Sequence, residues 1–181
     1  MPDLRSRVLI LFAHPALERS RVNRVLTEGL ETLEGVTFHD LYEAYPDFDI
    51  DVRREQALLE THDIIVLQHP FYWYSTPAII KQWEDLVLVH GWAYGQDGTA
   101  LHGKKLMNAV STGARQSAYS RDGFHGTTIE ELLLPIKKTA ELCGMQYLPP
   151  FAVYGAHGMT REEMHDHAAR YRTMLKGLVA G

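Results

Sequence analysis

The chain has a single cysteine, Cys143, so no internal disulfide can form, which fits a reducing compartment. It contains no apolar run near the roughly 20 residues that span a bilayer. The opening MPDLRSR passes straight into a strand-like segment without the apolar stretch and cleavage site of a secretory signal, so a cytoplasmic location is expected. Basic blocks are also missing: the formal charge of -5 is spread along the chain, and nucleic acid is not an expected partner. Nor is there an internal repeat, a linker or a low-complexity segment, and 181 residues suit one domain over 1–181 with one hydrophobic core. A resident metal is not expected. His157, His165 and His167 fall in one run, but residues two apart on a helix do not share a face, and no H-E-x-x-H pattern accompanies them. Cys143 has no evident cationic activator and reads as a packed residue rather than a nucleophile.

What is present is an alternation. Short apolar runs at 8–13 (VLILFA), 36–40 (VTFHD), 63–68 (DIIVLQ), 106–111 (LMNAVS) and 147–154 (YLPPFAVY) have strand length and are rich in β-branched or aromatic residues. Between them lie stripes at helical spacing: Val22, Val25, Leu26, Leu30 and Leu33; a shorter segment over 52–60; Ile79, Ile80, Trp83, Leu86 and Val87; a segment over 129–142; and Met164, Ala168, Tyr171, Leu175 and Leu178. Strands apolar on both faces and alternating with helices predict an α/β fold of three layers, with a five-stranded parallel sheet between helices. The flavodoxin-like strand order 2-1-3-4-5 is expected, with the ligand crevice beyond the carboxyl ends of strands 1 and 3.

Strands 1, 3 and 4 each end in an unusual sequence. After strand 1, Ser20 stands at a helix N-cap with Asn23 in the first turn, and free amides there would suit a phosphate, with His14 and Ser20 adding hydrogen bonds; a plain cap and an incidental loop histidine explain the same residues. After strand 3 come Phe71, Tyr72, Trp73 and Tyr74, whose backbone could lie along a flat heteroaromatic ligand while some rings stack; a plug at the sheet end is the plainer use. Pro77 is expected in the first turn of the following helix. After strand 4, Thr112 and Gly113 form a polar turn able to approach a ligand closely. Tyr119 and His125 follow, placed either to stabilise and protonate a developing oxyanion or as ordinary surface residues.

Taken together, AHP after strand 1, LYEAYPDFDID at 41–51, QHPFYWYSTPAIIKQW at 68–83, HGWAYGQDGTALHGK at 90–104 and CGMQYLPPF at 143–151 resemble one family over nearly the whole chain. The family is that of the flavin-dependent NAD(P)H:quinone oxidoreductases of flavodoxin-like fold, within it the bacterial ancillary flavoproteins of glutathione-regulated potassium efflux. The resemblance implies flavin contacts at His14, at Ser20, Arg21, Val22 and Asn23 around the phosphate, at Phe71, Tyr72, Trp73 and Tyr74 beneath the ring, and at Ser111, Thr112, Gly113 and Ala114 beside its polar edge. Where the family commonly has Thr-Thr-Gly-Gly, this chain reads Ser111-Thr112-Gly113-Ala114, then Arg115 and Gln116. Tyr119 and His125 match the family's catalytic tyrosine and histidine.

The implied activity is a two-electron ping-pong transfer from NAD(P)H through the flavin to a quinone. FMN is the expected cofactor rather than FAD, since the longer FAD-binding members carry a C-terminal extension. The resemblance also implies a homodimer, with Trp92 and Tyr94 near the pocket or the interface. An alternative role is a regulatory subunit of a membrane potassium/proton antiporter, peripheral at the inner membrane, with the flavin structural or redox-sensing. A one-electron flavodoxin carrier fits less well: no T-x-T-G-x-T loop follows strand 1, and the charge is only mildly acidic for a carrier that docks electrostatically.

Overall fold

A computed structural model of the chain describes residues 5–181. The two central strands, β1 (Val8–Phe12) and β3 (Ile64–Pro70), are buried at every position, as their unbroken apolar runs require. They pair in parallel, Val8 opposite Ile64 and Phe12 opposite Gln68. β2 (Val36–Asp40) lies outside β1, and β4 (Lys105–Ser111) outside β3, completing the expected parallel order with the last strand at the far edge.

That last strand departs from expectation. The single strand predicted over 147–154 is two short ones, β5 (Gln146–Tyr147) and β6 (Phe151–Val153), both parallel to β4. Pro149 and Pro150 lie between them, and proline has no N–H to give the ladder.

The sheet's alternating side chains separate two cores. Leu9, Leu11, Ile65 and Leu67 face one side, against α2 (Leu41–Ala44), α3 (Val52–Glu60), α4 (Ala78–Val87) and α6 (Leu134–Leu142). Val8, Ile10, Phe12 and Val66 face the other, against α1 (Arg21–Thr27) and α7 (Arg161–Ala180). α7 buries Met164, Ala168, Tyr171, Leu175 and Val179 along one stripe, each large apolar side chain contributing about 1.5–3 kcal/mol. A capping box of Thr160 and Glu163 opens it.

Two predicted helices are shorter than their stripes. α1 stops before Gly29, whose φ of 73° turns the chain into a 3-10 turn over Leu30–Thr32. The 129–142 segment divides at Leu133 into α5 (Ile129–Leu132) and α6, with Pro135 in the first turn of α6. Pro77 precedes α4 as its N-cap rather than sitting in its first turn.

One charged group is enclosed within the first core. Glu55 is 0% exposed and accepts hydrogen bonds from His39 Nε2 (2.8 Å), Tyr45 OH (2.6 Å) and Trp83 Nε1 (2.9 Å). Burial pushes its carboxyl up, but the three donors outweigh burial and hold it below the usual range. Tyr45 is in turn pushed above the usual phenol range by burial and by the carboxylate beside it. The cluster ties the end of β2 to α3 and α4, the helices that flank β3 on this face.

Candidate functional site

The carboxyl ends of β1, β3 and β4 converge, and hydrogen bonds lock their loops together. Asn23 of α1 donates through Nδ2 to Ser111 Oγ (3.0 Å), and the Ser111 hydroxyl donates back to Asn23 Oδ1 (3.2 Å). The Ser111 carbonyl accepts from the Phe71 amide at 2.8 Å. The Thr112 amide reaches the Val153 carbonyl, and the Ala156 amide the Thr112 carbonyl, so the loop after β6 joins the frame.

A cavity of ≈ 520 Å³ opens above this frame. Of the predicted residues it is lined by His14, Ser20, Arg21, Val22, Asn23, Phe71, Tyr72, Ser111, Thr112 and Gly113. Ser20 caps α1 as expected, its Oγ accepting from the Asn23 amide. His14 Nδ1 accepts from the Ala16 amide at 3.1 Å, which leaves its proton on Nε2; burial lowers its pKa, so it stays neutral. Arg19 and Arg21 bring positive charge to the same end, Arg21 braced by a bond to the Met159 carbonyl.

The remaining predicted residues lie around an adjoining cavity of ≈ 230 Å³, formed by Phe71, Trp73, Tyr74, Ala114, Tyr119 and His125. Phe71 belongs to both spaces. Here the backbone is strained: Trp73 and Tyr74 are consecutive non-glycine residues in the left-handed region, at φ 50° and 63°. The turn is held by the Ser75 amide on the Tyr72 carbonyl. Among the described residues the amides of Trp73, Tyr74 and Gly113 donate to no protein acceptor. Trp73 is 93% exposed, so its ring is not a plug for the sheet end.

Tyr119 and His125 meet, as the sequence reading required. Their rings lie 4.5 Å apart between centroids at 32°, and Tyr74 OH sits 3.2 Å from His125 Nδ1. His125 Nε2 is buried and has no partner among the described residues. Burial raises the Tyr119 phenol, which a hydrogen bond from the Thr112 side chain only partly offsets. It therefore holds its proton at neutral pH.

Beneath the strained loop runs a second line of buried polar groups. His69 Nδ1 donates to the Pro70 carbonyl (3.0 Å), leaving Nε2 to accept from Asn108 Nδ2 (3.1 Å), while Asn108 Oδ1 accepts from Tyr147 OH (2.8 Å). Complete burial lowers His69 to about 4 and keeps it neutral. The line fixes the peptide that launches Phe71.

Sequence reasoning missed Ala16, Arg19, Pro70, Ala156 and His157 of the main cavity. In the sequence His157 reads only as a metal candidate, yet its Nε2 lies 2.6 Å from where a Cβ on Gly113 would stand. That closeness explains glycine at 113. His167 lines a separate space of ≈ 600 Å³ with Arg115, Tyr154 and Glu163, and His165 is exposed outside both. Trp92 and Tyr94 are not at the main cavity: Trp92 donates to Glu60 at 3.1 Å, and Tyr94 lines a cavity between α4 and α6.

A family model described as flavodoxin-like fold matches residues 6–175. The chain belongs to this flavodoxin-like family. It is 48% identical to a Bacillus subtilis (strain 168) protein named NAD(P)H oxidoreductase YrkL, itself called uncharacterized, over 94% of this chain and 98% of that one. It is 46% identical to the glutathione-regulated potassium-efflux system ancillary protein KefF of Klebsiella aerogenes, over 93% of this chain and 94% of the relative. Among solved structures, the general stress protein 14 of Treponema denticola in complex with FMN superposes with a TM-score of 0.90 at 40% identity, covering 95% of this chain and 99% of that one. An NADPH-quinone reductase from P. pentosaceus gives 0.84 at 35%, covering 93% and 96%.

Proposed function

We propose that this member of the flavodoxin-like family is an FMN-dependent NAD(P)H:quinone oxidoreductase. The observation that carries it is the pair of adjoining cavities at the carboxyl ends of β1, β3 and β4, one bearing two arginines and hydrogen-bonding side chains at one end, the other walled by aromatic rings and a tyrosine–histidine pair. The relatives named for NAD(P)H oxidation, quinone reduction and FMN binding support the same reading.

The residues present suit FMN. The Ser20 hydroxyl, the Arg21 and Val22 amides at the start of α1, and the Arg19 and Arg21 guanidinium groups offer donors to a phosphate, while Asn23 fixes Ser20 and Ser111 beneath them. The amides of Trp73, Tyr74 and Gly113, which donate to no protein acceptor among the described residues, provide donors for the polar edge of the ring system. Bound there, FMN would supply two-electron chemistry between a pyridine nucleotide and a quinone.

The chain's own residues do the rest. Phe71, Trp73 and Tyr74 supply flat surfaces for stacking. Tyr119, kept protonated, donates its O–H to an oxygen that gains charge on reduction, and His125 delivers a proton from Nε2. Trp73 and Phe124, at 93% and 91% exposure, stand beside this cavity, and a second copy of the chain would cover them in a homodimer. Light scattering in solution reports the mass.

The decisive experiment follows the absorbance of the FMN-loaded protein as NADPH and then benzoquinone are added without oxygen. Bleaching followed by rapid return of the flavin band is expected; a protein that binds no FMN would end the proposal. A second reading is favoured by the 46% identity to KefF: regulation of a potassium/proton antiporter. Co-purification with such a transporter tests it. Among the described residues no helix is long and apolar enough to cross a membrane.

A further inference from the structure

The tyrosine–histidine pair does not account for a second tyrosine on the same imidazole. Tyr74 OH lies 3.2 Å from His125 Nδ1, with the two rings edge to face at 80° and 5.4 Å apart. On the opposite side of that imidazole, Nε2 is buried without a partner among the described residues, and the ring lines the aromatic cavity. The tyrosine itself is 50% exposed. One imidazole thus joins a solvent-accessible hydroxyl to an enclosed nitrogen left free for a ligand.

We propose that Tyr74 is a proton relay and positioning residue: its hydroxyl donates to His125 Nδ1, fixes the proton of the neutral imidazole on Nε2, and replaces that proton when it is given to the substrate oxygen.

The inference rests on the quinone reductase reading. The pyridine nucleotide supplies two electrons and one hydrogen as hydride, so reduction of a quinone to a quinol needs one further proton from the medium. In the relay the Nε2–H bond breaks as the quinol O–H bond forms, the Tyr74 O–H bond breaks as Nδ1–H forms, and Tyr74 regains a proton from water. Without a donor at Nδ1, loss of the Nε2 proton would leave an imidazolate, a far poorer leaving state. After the quinol departs the tautomer resets: Nε2 takes a proton from water while Nδ1 passes its own to Tyr74, which releases one to water, so the net cost is one solvent proton per turnover.

The geometry of the loop suits this use. The left-handed backbone at Trp73 and Tyr74 turns the tyrosine toward the loop after β4, where Tyr119, Phe124 and His125 form one aromatic group. Tyr74 and Tyr119 are the titratable side chains whose rings touch His125, and among the described residues no carboxylate or cation is paired with it. The proton route therefore depends on phenols alone. A phenylalanine at 74 would keep the ring and lose the relay.

The test uses Tyr74→Phe with two readouts. The first is the ¹⁵N spectrum of His125 in the purified protein, with and without FMN: the wild type is expected to carry its proton on Nε2, and Tyr74→Phe to populate both tautomers. The second uses FMN-loaded protein reduced with dithionite, so that it does not depend on NAD(P)H. Reoxidation by benzoquinone, which needs a proton, is compared with reoxidation by ferricyanide, which does not. The ratio of the two rates should fall about tenfold in Tyr74→Phe, and adding Tyr74→Phe to His125→Ala should lower it no further.

An unchanged ratio, or a wild-type proton on Nδ1, overturns the relay. Equal losses with both acceptors would mean that Tyr74 acts only on the flavin's seating, which also overturns it. A wild-type protein that shows the expected tautomer but is not reduced by NADPH would instead count against the oxidoreductase reading.

Discussion

The same residue types, histidine, tyrosine and tryptophan, form two clusters in this molecule and are used in opposite ways. Around Glu55, His39, Tyr45 and Trp83 all point their donors at one fully buried carboxylate, and none of the four has a left-handed backbone. Around His125, Tyr74 is half exposed and Trp73 almost wholly so, both on a left-handed backbone, Tyr119 is part-buried, and the histidine Nε2 has no partner among the described residues. Closed bonding makes the first cluster a fastener. Open bonding and stored strain make the second one available for chemistry.

The largest effect should come from breaking the closed cluster. Glu55→Ala strips three buried donors of their acceptor and is expected to cost about 3–5 kcal/mol of stability, measured by urea unfolding. If the comparison is sound, Tyr74→Phe in the open cluster costs under about 0.5 kcal/mol in the same assay.

Next comes His69, which holds the Pro70 carbonyl just before the strained loop of the open cluster. Its folded pKa, lowered to about 4 by complete burial, lies below the unfolded value near 6.5. Between those limits the unfolded chain binds the extra proton, so stability is present above about pH 6.5 and drains as pH falls toward 4, by about 3 kcal/mol in all. Glu55, whose carboxyl is depressed, adds its own loss only once pH drops below the ordinary carboxylate range. Unfolding free energies measured from pH 7.5 to 4.5 should show this slope, and His69→Gln should make it shallower, leaving the smaller contributions of His14, His62 and His167; a flat wild-type profile would contradict a neutral His69.

Much of this was legible from spacing. The alternation of apolar runs locates β1 through β4, and the switch-point rule brings the loops after β1, β3 and β4 together. Pro149–Pro150, Gly29 and Pro135 interrupt the longer predicted segments, because at each of them backbone restriction outweighs the apolar periodicity. The Glu55 cluster was illegible: its members come from β2, the end of α2, α3 and α4, and a glutamate on a short helix reads as a solvated residue until its partners are known. His157 was missed for the same reason. Its role depends on the closeness of Gly113, more than 40 residues earlier in the chain.

Within the open cluster, His125→Ala and Tyr119→Phe should each lower quinone turnover about tenfold to a hundredfold, or about 1.4–2.7 kcal/mol of barrier. FMN content and unfolding midpoints are the controls that separate chemistry from folding. Loss of stability matching that of Glu55→Ala would mean that the His125 group is a fastener too, and the contrast between the clusters would fail.

The smallest effect tests the strain itself. Trp73 is held at φ 50° with its ring 93% exposed, so the fold gains little from burying that side chain and bears the cost of the left-handed backbone. Trp73→Gly removes that cost but makes the unfolded chain more flexible, and the two nearly offset. The expected outcome is a stability between unchanged and about 1 kcal/mol higher. FMN affinity should fall at the same time, because the stacking surface is gone. A residue that weakens cofactor binding when replaced, yet does not weaken the fold, is kept for the ligand; a clear loss of stability in Trp73→Gly would instead show that the exposed indole supports the loop.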